Sequence, residues 1–151
     1  MTKLIFGGLV AIILLGLYAY ATVYSILAVQ CLGSGACTEY TKDLNEGVVT
    51  VLNLVGGLVS ALVIAQLAVT EPGAAPGAGL ADAETITETM KKVVTIVSIA
   101  YVTVWLACGL ASVVQGYLRY PNVVPQLTAS AKSWLGLAVA AAYSYLGLRR
   151  A

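Results

Sequence analysis

No charged residue occurs from Leu4 to Thr38, from Gly47 to Thr70, from Val93 to Leu118, or from Ser133 to Leu148. A soluble fold has to cover its core with polar groups, and long charge-free runs leave it nothing to cover with. A helix rises about 1.5 Å per residue, so roughly 20 apolar residues cross the hydrocarbon core of a bilayer. The first three runs exceed that length with room for tilt. The fourth falls short unless Lys132 is taken into the outer part of the bilayer with its amine extended to the interface. Composition agrees: 10% of the 151 residues are charged and 60% hydrophobic, where a soluble domain carries roughly 25% charged residues. The expected fold class is therefore all-α, a polytopic membrane protein built as a four-helix transmembrane bundle.

Four spans are expected, at about 4–29, 47–70, 93–118 and 127–148. The first opens after Lys3 and contains Ala19-Tyr20-Ala21, which imitates a signal-peptidase site. Its uncharged stretch is too long for a signal core, which favours a retained helix. The second stops at Glu71-Pro72-Gly73, and a flexible linker over 71–81, mostly Gly, Ala and Pro, follows. Helix restarts near Asp82 or Thr85, where Thr85-Ile86-Thr87-Glu88 fits a capping box and Glu88 can pair with Lys92. Arg119-Tyr120-Pro121-Asn122 and Pro125 make the last turn, and Arg149-Arg150 close the fourth span. With the N-terminus inside, Lys3, Lys91, Lys92, Arg149 and Arg150 lie on the inner side, while Lys42, Arg119 and Lys132 lie outside. That modest positive-inside bias places both termini on the cytoplasmic side of a multi-pass protein.

The cysteines give independent support. Cys31 and Cys37 would face the oxidising side, and the two glycines between them allow the sharp return that a disulfide needs. Their expected role is to rigidify the first outer loop, and a redox-active pair is the sharper alternative, which is not adopted. Four-helix membrane thiol oxidoreductases depend on a C-x-x-C pair, which is absent here, and Cys108 stands alone in mid-span.

In the third span Ser98, Tyr101, Trp105, Cys108, Ser112 and Gln115 follow a 3-4-3-4-3 spacing, so all six share one helix face. Lipid offers them no hydrogen bonds, so this face is expected to point at protein or water, as helix-packing or pore-facing residues. Partner stripes are Tyr18, Thr22 and Ser25 in the first span, Asn53, Gly57 and Ser60 in the second, and Ser133, Leu137, Ala140 and Ser144 in the fourth. Small residues at Gly57/Ala61, Ser112/Gly116 and Gly136/Ala140 permit close helix approach. Tyr117, Tyr120, Trp134, Tyr143 and Tyr145 are expected as interfacial aromatics.

Histidine is absent, and every carboxylate (Glu39, Asp43, Glu46, Glu71, Asp82, Glu84, Glu88) lies in a loop or at a span end. No converging acid, base and nucleophile, no metal-ligand spacing and no phosphate loop can be read, so neither an enzyme nor a cofactor is expected. A net charge of +1 gives no case for nucleic acid. The expected partners are the lipid bilayer and other membrane subunits or copies of the chain. The expected function is a non-catalytic helix-packing subunit of a larger membrane or virion assembly. The alternative is a homo-oligomeric pore or channel former, in the manner of small phage lysis proteins.

Overall fold

The computed structural model describes residues 2–69 and 87–146. Among them the chain forms four helices and no strand: α1 (Thr2–Gly33), α2 (Glu46–Ala68), α3 (Glu88–Arg119) and α4 (Pro125–Leu146). Each lies on one expected span, with α2 ending at Ala68 and α4 at Leu146. Three of them, α1, α2 and α3, are long and apolar enough to cross a membrane. The less apolar α4 carries Lys132, three serines and two tyrosines along its 22 residues. The expected linker 71–81 and Thr85 of the expected capping box lie outside the described residues. The cap of α3 is Thr87, whose side chain makes no capping bond. Glu88, now the first helical residue, pairs with Lys91 at 3.4 Å rather than with Lys92.

The helices pack in the order α1–α2–α4–α3 around the bundle, with α2 diagonal to α3 and α1 diagonal to α4. Close approaches fix their directions. Gly33 at the end of α1 lies under the ring of Tyr120 just beyond α3, so these neighbours run parallel. Trp134 lies over Gly109, and Leu127 lies over Gly116 nearer the turn, so α3 and α4 run antiparallel. The described ends of α1 and α4 therefore point to one end of the bundle, and the cysteine loop caps the other.

Local chemistry explains the loop end. Gly35 takes φ 76°, a left-handed conformation that glycine adopts without steric cost. It turns the chain back so that Cys31 and Cys37 reach disulfide distance with Cα atoms 5.1 Å apart. The Asn45 side chain then caps α2 by accepting the Gly47 N–H at 2.8 Å. At the α3–α4 turn the last stretch of α3, Val114–Arg119, widens into π geometry. A helix end leaves carbonyls without partners, and here the Thr128 hydroxyl donates to the Gly116 carbonyl at 2.6 Å and accepts the Asn122 N–H at 3.2 Å. One side chain thus ties α3, the turn and α4 together.

Two buried clusters result. The larger, towards the middle of the bundle, centres on Tyr18, Val59, Val63, Tyr101, Trp105 and Trp134. The smaller, at the loop end, joins Ala28, Val29, Leu44, Leu52, Val124 and Leu127. Large apolar side chains also cover the outside: Phe6, Leu54, Ile96 and Leu118 are each more than 60% exposed. Such a surface suits hydrocarbon as its solvent.

Gly109 is the tightest point of this packing, because a Cβ there would fall inside the Trp134 indole. Gly109→Ala should cost about 1–3 kcal/mol, the usual range for overpacking, since a rigid ring and a helix backbone must separate. Unfolding in detergent, followed by tryptophan fluorescence, would measure it; an unchanged midpoint would contradict this packing.

Candidate functional site

The polar stripe of α3 lies inside the bundle. Ser98, Tyr101, Trp105 and Ser112 are buried, and Cys108 and Gln115 are half-buried. The bundle takes in this face because the rest of the helix within the span is mostly Val, Ile, Leu and Ala, which lipid accommodates at no cost. Trp105 sits at the centre, 1% exposed. Its Nε1–H donates to Ser60 Oγ of α2 at 2.9 Å, while the Ser60 hydroxyl donates to the Gly56 carbonyl at 2.8 Å. Its ring packs against Trp134 of α4 with centroids 5.3 Å apart and planes tilted by 50°. A second diagonal bond runs from Gln66 Nε2 to Ser98 Oγ at 3.2 Å. Ser112 turns its hydroxyl back to the Cys108 carbonyl at 2.9 Å. The Tyr101 hydroxyl and the Gln115 carbonyl oxygen are buried with no hydrogen bond among the described residues.

The partner stripes divide. On α1, Tyr18, Thr22 and Ser25 are buried as a set. On α2, Ser60 is buried but Asn53 and Gly57 are exposed, which departs from the expected shared face. The inward face is Leu52, Gly56, Val59, Ser60, Val63 and Leu67. Of the twin glycines, Gly56 takes the position beneath the Tyr18 ring, and this turns Gly57 and Asn53 outward. The segment Val51–Val55 is π-helical, and such widened turns occur often at functional places. On α4, Ser133 and Ala140 are exposed, and Leu127, Thr128, Ala131, Trp134 and Ala141 face inward instead. Trp134, expected at the interface, is 5% exposed, because Gly109 opposite leaves the space that its indole fills. Gly109 stands one position from the stripe and was not among the expected residues; its only sequence signal is a glycine directly following Cys108.

Where α2 and α4 diverge toward the outside they leave a half-open groove of about 200 Å³. Its walls are Asn53 and Gly57 of α2 and Ser130 and Ser133 of α4, and its floor includes Tyr18 and Ser60. Ser130 too was missed from sequence, where it reads as one more small residue. Lys132 does not enter the groove. It is exposed, and its amine stands 5.2 Å from the centroid of the Tyr117 ring, a cation–π contact suited to an interface. The loop cysteines are joined at the disulfide end, well away from Cys108 in the core.

No protein-family model, curated protein or solved structure matches this chain.

Two substitutions test the seam. Trp105→Phe keeps most of the packing and loses the bond to Ser60, so it should cost about 0.6–1.7 kcal/mol, the range for interhelical hydrogen bonds in membranes. Trp105→Ala should cost about 3–5 kcal/mol; equal losses in the two variants, by unfolding in detergent, would mean that the ring is not packed as described. At Ser112, 3% exposed, substitution by Leu should destabilise by about 1–3 kcal/mol through crowding, while Ser112→Ala should be nearly silent. A silent Ser112→Leu would show that the stripe faces open space.

Proposed function

We propose that the protein is a non-catalytic integral membrane subunit whose four helices all cross the bilayer and which works by lateral helix contacts within a larger membrane or virion assembly. The observation that carries this reading is the distribution of polarity. Ser98 and Trp105 of the α3 stripe are taken up inside a single chain by Gln66, Ser60 and Trp134, and, Asn53 apart, what the helices offer outward is mainly apolar surface and small residues. A surface of that kind suits neighbouring helices and lipid. The pore alternative asks for a polar surface on the outside of each copy. The six stripe residues are turned inward, so its remaining support is the α2–α4 groove.

The fourth crossing rests on length and on Lys132. At 22 residues, α4 extends about 33 Å, enough for the hydrocarbon core. The amine of Lys132, held against Tyr117 on the outer surface, needs no burial in the middle of the membrane. Four crossings put the two termini on one side and the disulfide loop on the other. The positive-inside bias and the oxidising side required by the disulfide both favour termini on the cytoplasmic side.

Two measurements test the reading. A tag inserted near Lys42 should be reached by protease from outside intact cells, and tags at either terminus should be protected. An external tag after Arg150 would contradict the four-span topology. Extraction in mild detergent should recover the chain in a stoichiometric assembly, and recovery as a solitary monomer from its native membrane would contradict the subunit role.

A further inference from the structure

The loop between α1 and α2 is fastened to the bundle at few points. Tyr40 meets the Tyr24 ring of α1 edge-on, with centroids 5.4 Å apart and planes at 66°. Leu44, 8% exposed, joins the loop-end cluster with Val29 and Leu52. The remaining fastening is the Cys31–Cys37 disulfide. Among the described residues, no hydrogen bond or ion pair runs from 36–44 to any other part of the chain. The Thr41 hydroxyl donates to the Asp43 carbonyl at 2.8 Å, within the loop itself. Such a segment loses much backbone freedom when it is laid down, and two largely apolar side chains return little against that loss. The disulfide makes part of the loss in advance, because it ties Cys37 to the last turn of α1 and leaves only 38–44 to be ordered. The bond is also within reach of solvent. Cys31 and Cys37 are half-buried, and residues 33–36 and 38–39 around them are exposed. Exposed disulfides are the ones that exchange readily with thiols. The rest of the bundle does not hang on this bond. Tyr18, in the mid-bundle cluster, lies about 20 Å along α1 from Cys31, and the end of α1 keeps its own contact where Gly33 lies beneath the Tyr120 ring.

We propose that residues 34–44 form a strap held shut by a redox latch, which a dithiol reductant on the loop side opens. One thiolate of the reductant attacks a sulfur of the Cys31–Cys37 bond, giving a mixed disulfide and one cysteine thiolate. The second thiol of the reductant then displaces the other cysteine. The reductant leaves as its own disulfide, its two protons end on the two cysteine thiols, and two electrons have passed to the protein. They go no further, so the pair is a switch and not a catalyst. Once open, the strap withdraws Tyr40 and Leu44 and leaves the loop-end cluster uncovered, while the mid-bundle packing stays. Oxidation closes it again, because Gly35, at φ 76°, favours the turn that returns Cys37 to Cys31. The side from which the reductant acts rests on the topology proposed above; the latch itself does not.

The test uses the full chain in lipid vesicles with trypsin admitted to both faces, since the strap carries the exposed Lys42. Cleavage there follows the population of the open strap, so dithiothreitol should speed it about tenfold, with helix content and tryptophan emission unchanged. Removing the reductant and adding oxidised glutathione should restore the slow rate. The double variant Cys31→Ser, Cys37→Ser should be cut at the fast rate without reductant and should not respond to it. Equal cleavage of the oxidised and reduced chains would overturn the latch. Loss of helix content or a shift in tryptophan emission on reduction would also overturn it, by making the disulfide a brace for the whole bundle. Cleavage that stays fast after reoxidation would overturn the switch. The side is tested in intact cells, where a membrane-impermeant phosphine should free both thiols, counted by maleimide mass tagging after lysis. Thiols freed by dithiothreitol alone would uphold the latch and contradict the topology.

Discussion

Trp105 joins three of the four helices at one place. Its indole N–H crosses the diagonal to Ser60 on α2, and its ring leans on Trp134 of α4, which in turn needs Gly109 on α3 to be bare. In water a buried tryptophan gains mostly from leaving solvent. In a membrane the surroundings are as apolar as the core, so association depends on fit and on polar groups that lipid cannot satisfy. That places unusual weight on a few contacts. In such surroundings the seam from Gln66–Ser98 through Ser60–Trp105 to Thr128–Gly116 would carry much of the association.

The fold class was legible in the sequence because bilayer crossing imposes a single strong constraint, length without charge. The inward face of α3 was legible for a related reason: its polar residues recur at helical spacing among mostly apolar ones, so one face stands out. On α2 and α4 the signal fails. Most residues there are small or aliphatic, and Gly56-Gly57 offers two equivalent answers to the question of which glycine faces in. The Tyr18 ring chooses between them, from a residue far earlier in the chain. Trp134 misled for a similar reason. A tryptophan near a span end suits an interface, unless a glycine on a neighbouring helix makes room for it.

The order of helices around the bundle was not legible either. Consecutive helices are adjacent for α1–α2 and α3–α4. The step from α2 to α3 instead joins diagonal positions. The residues that separate these two helices are far more numerous than those of the α3–α4 turn, and a long connection permits a diagonal where a tight turn forbids it. Polar pairing supplies the reason to take it, since Ser60 and Gln66 find partners on α3.

That diagonal divides the chain into two helical hairpins, and it bears on the order of events during synthesis. Before α3 is made, the Ser60 hydroxyl still has the Gly56 carbonyl of its own helix, while the bonds that α3 brings to Ser60 and Gln66 are not yet in place. The first hairpin therefore has an inner face that only the second completes. Until then that face is open to whatever is nearby, whether lipid, insertion machinery or the unfinished hairpin of another nascent chain. A protein assembled in two instalments has a window in which mispairing competes with folding, and the length of that window is set by the time taken to synthesise α3 and α4.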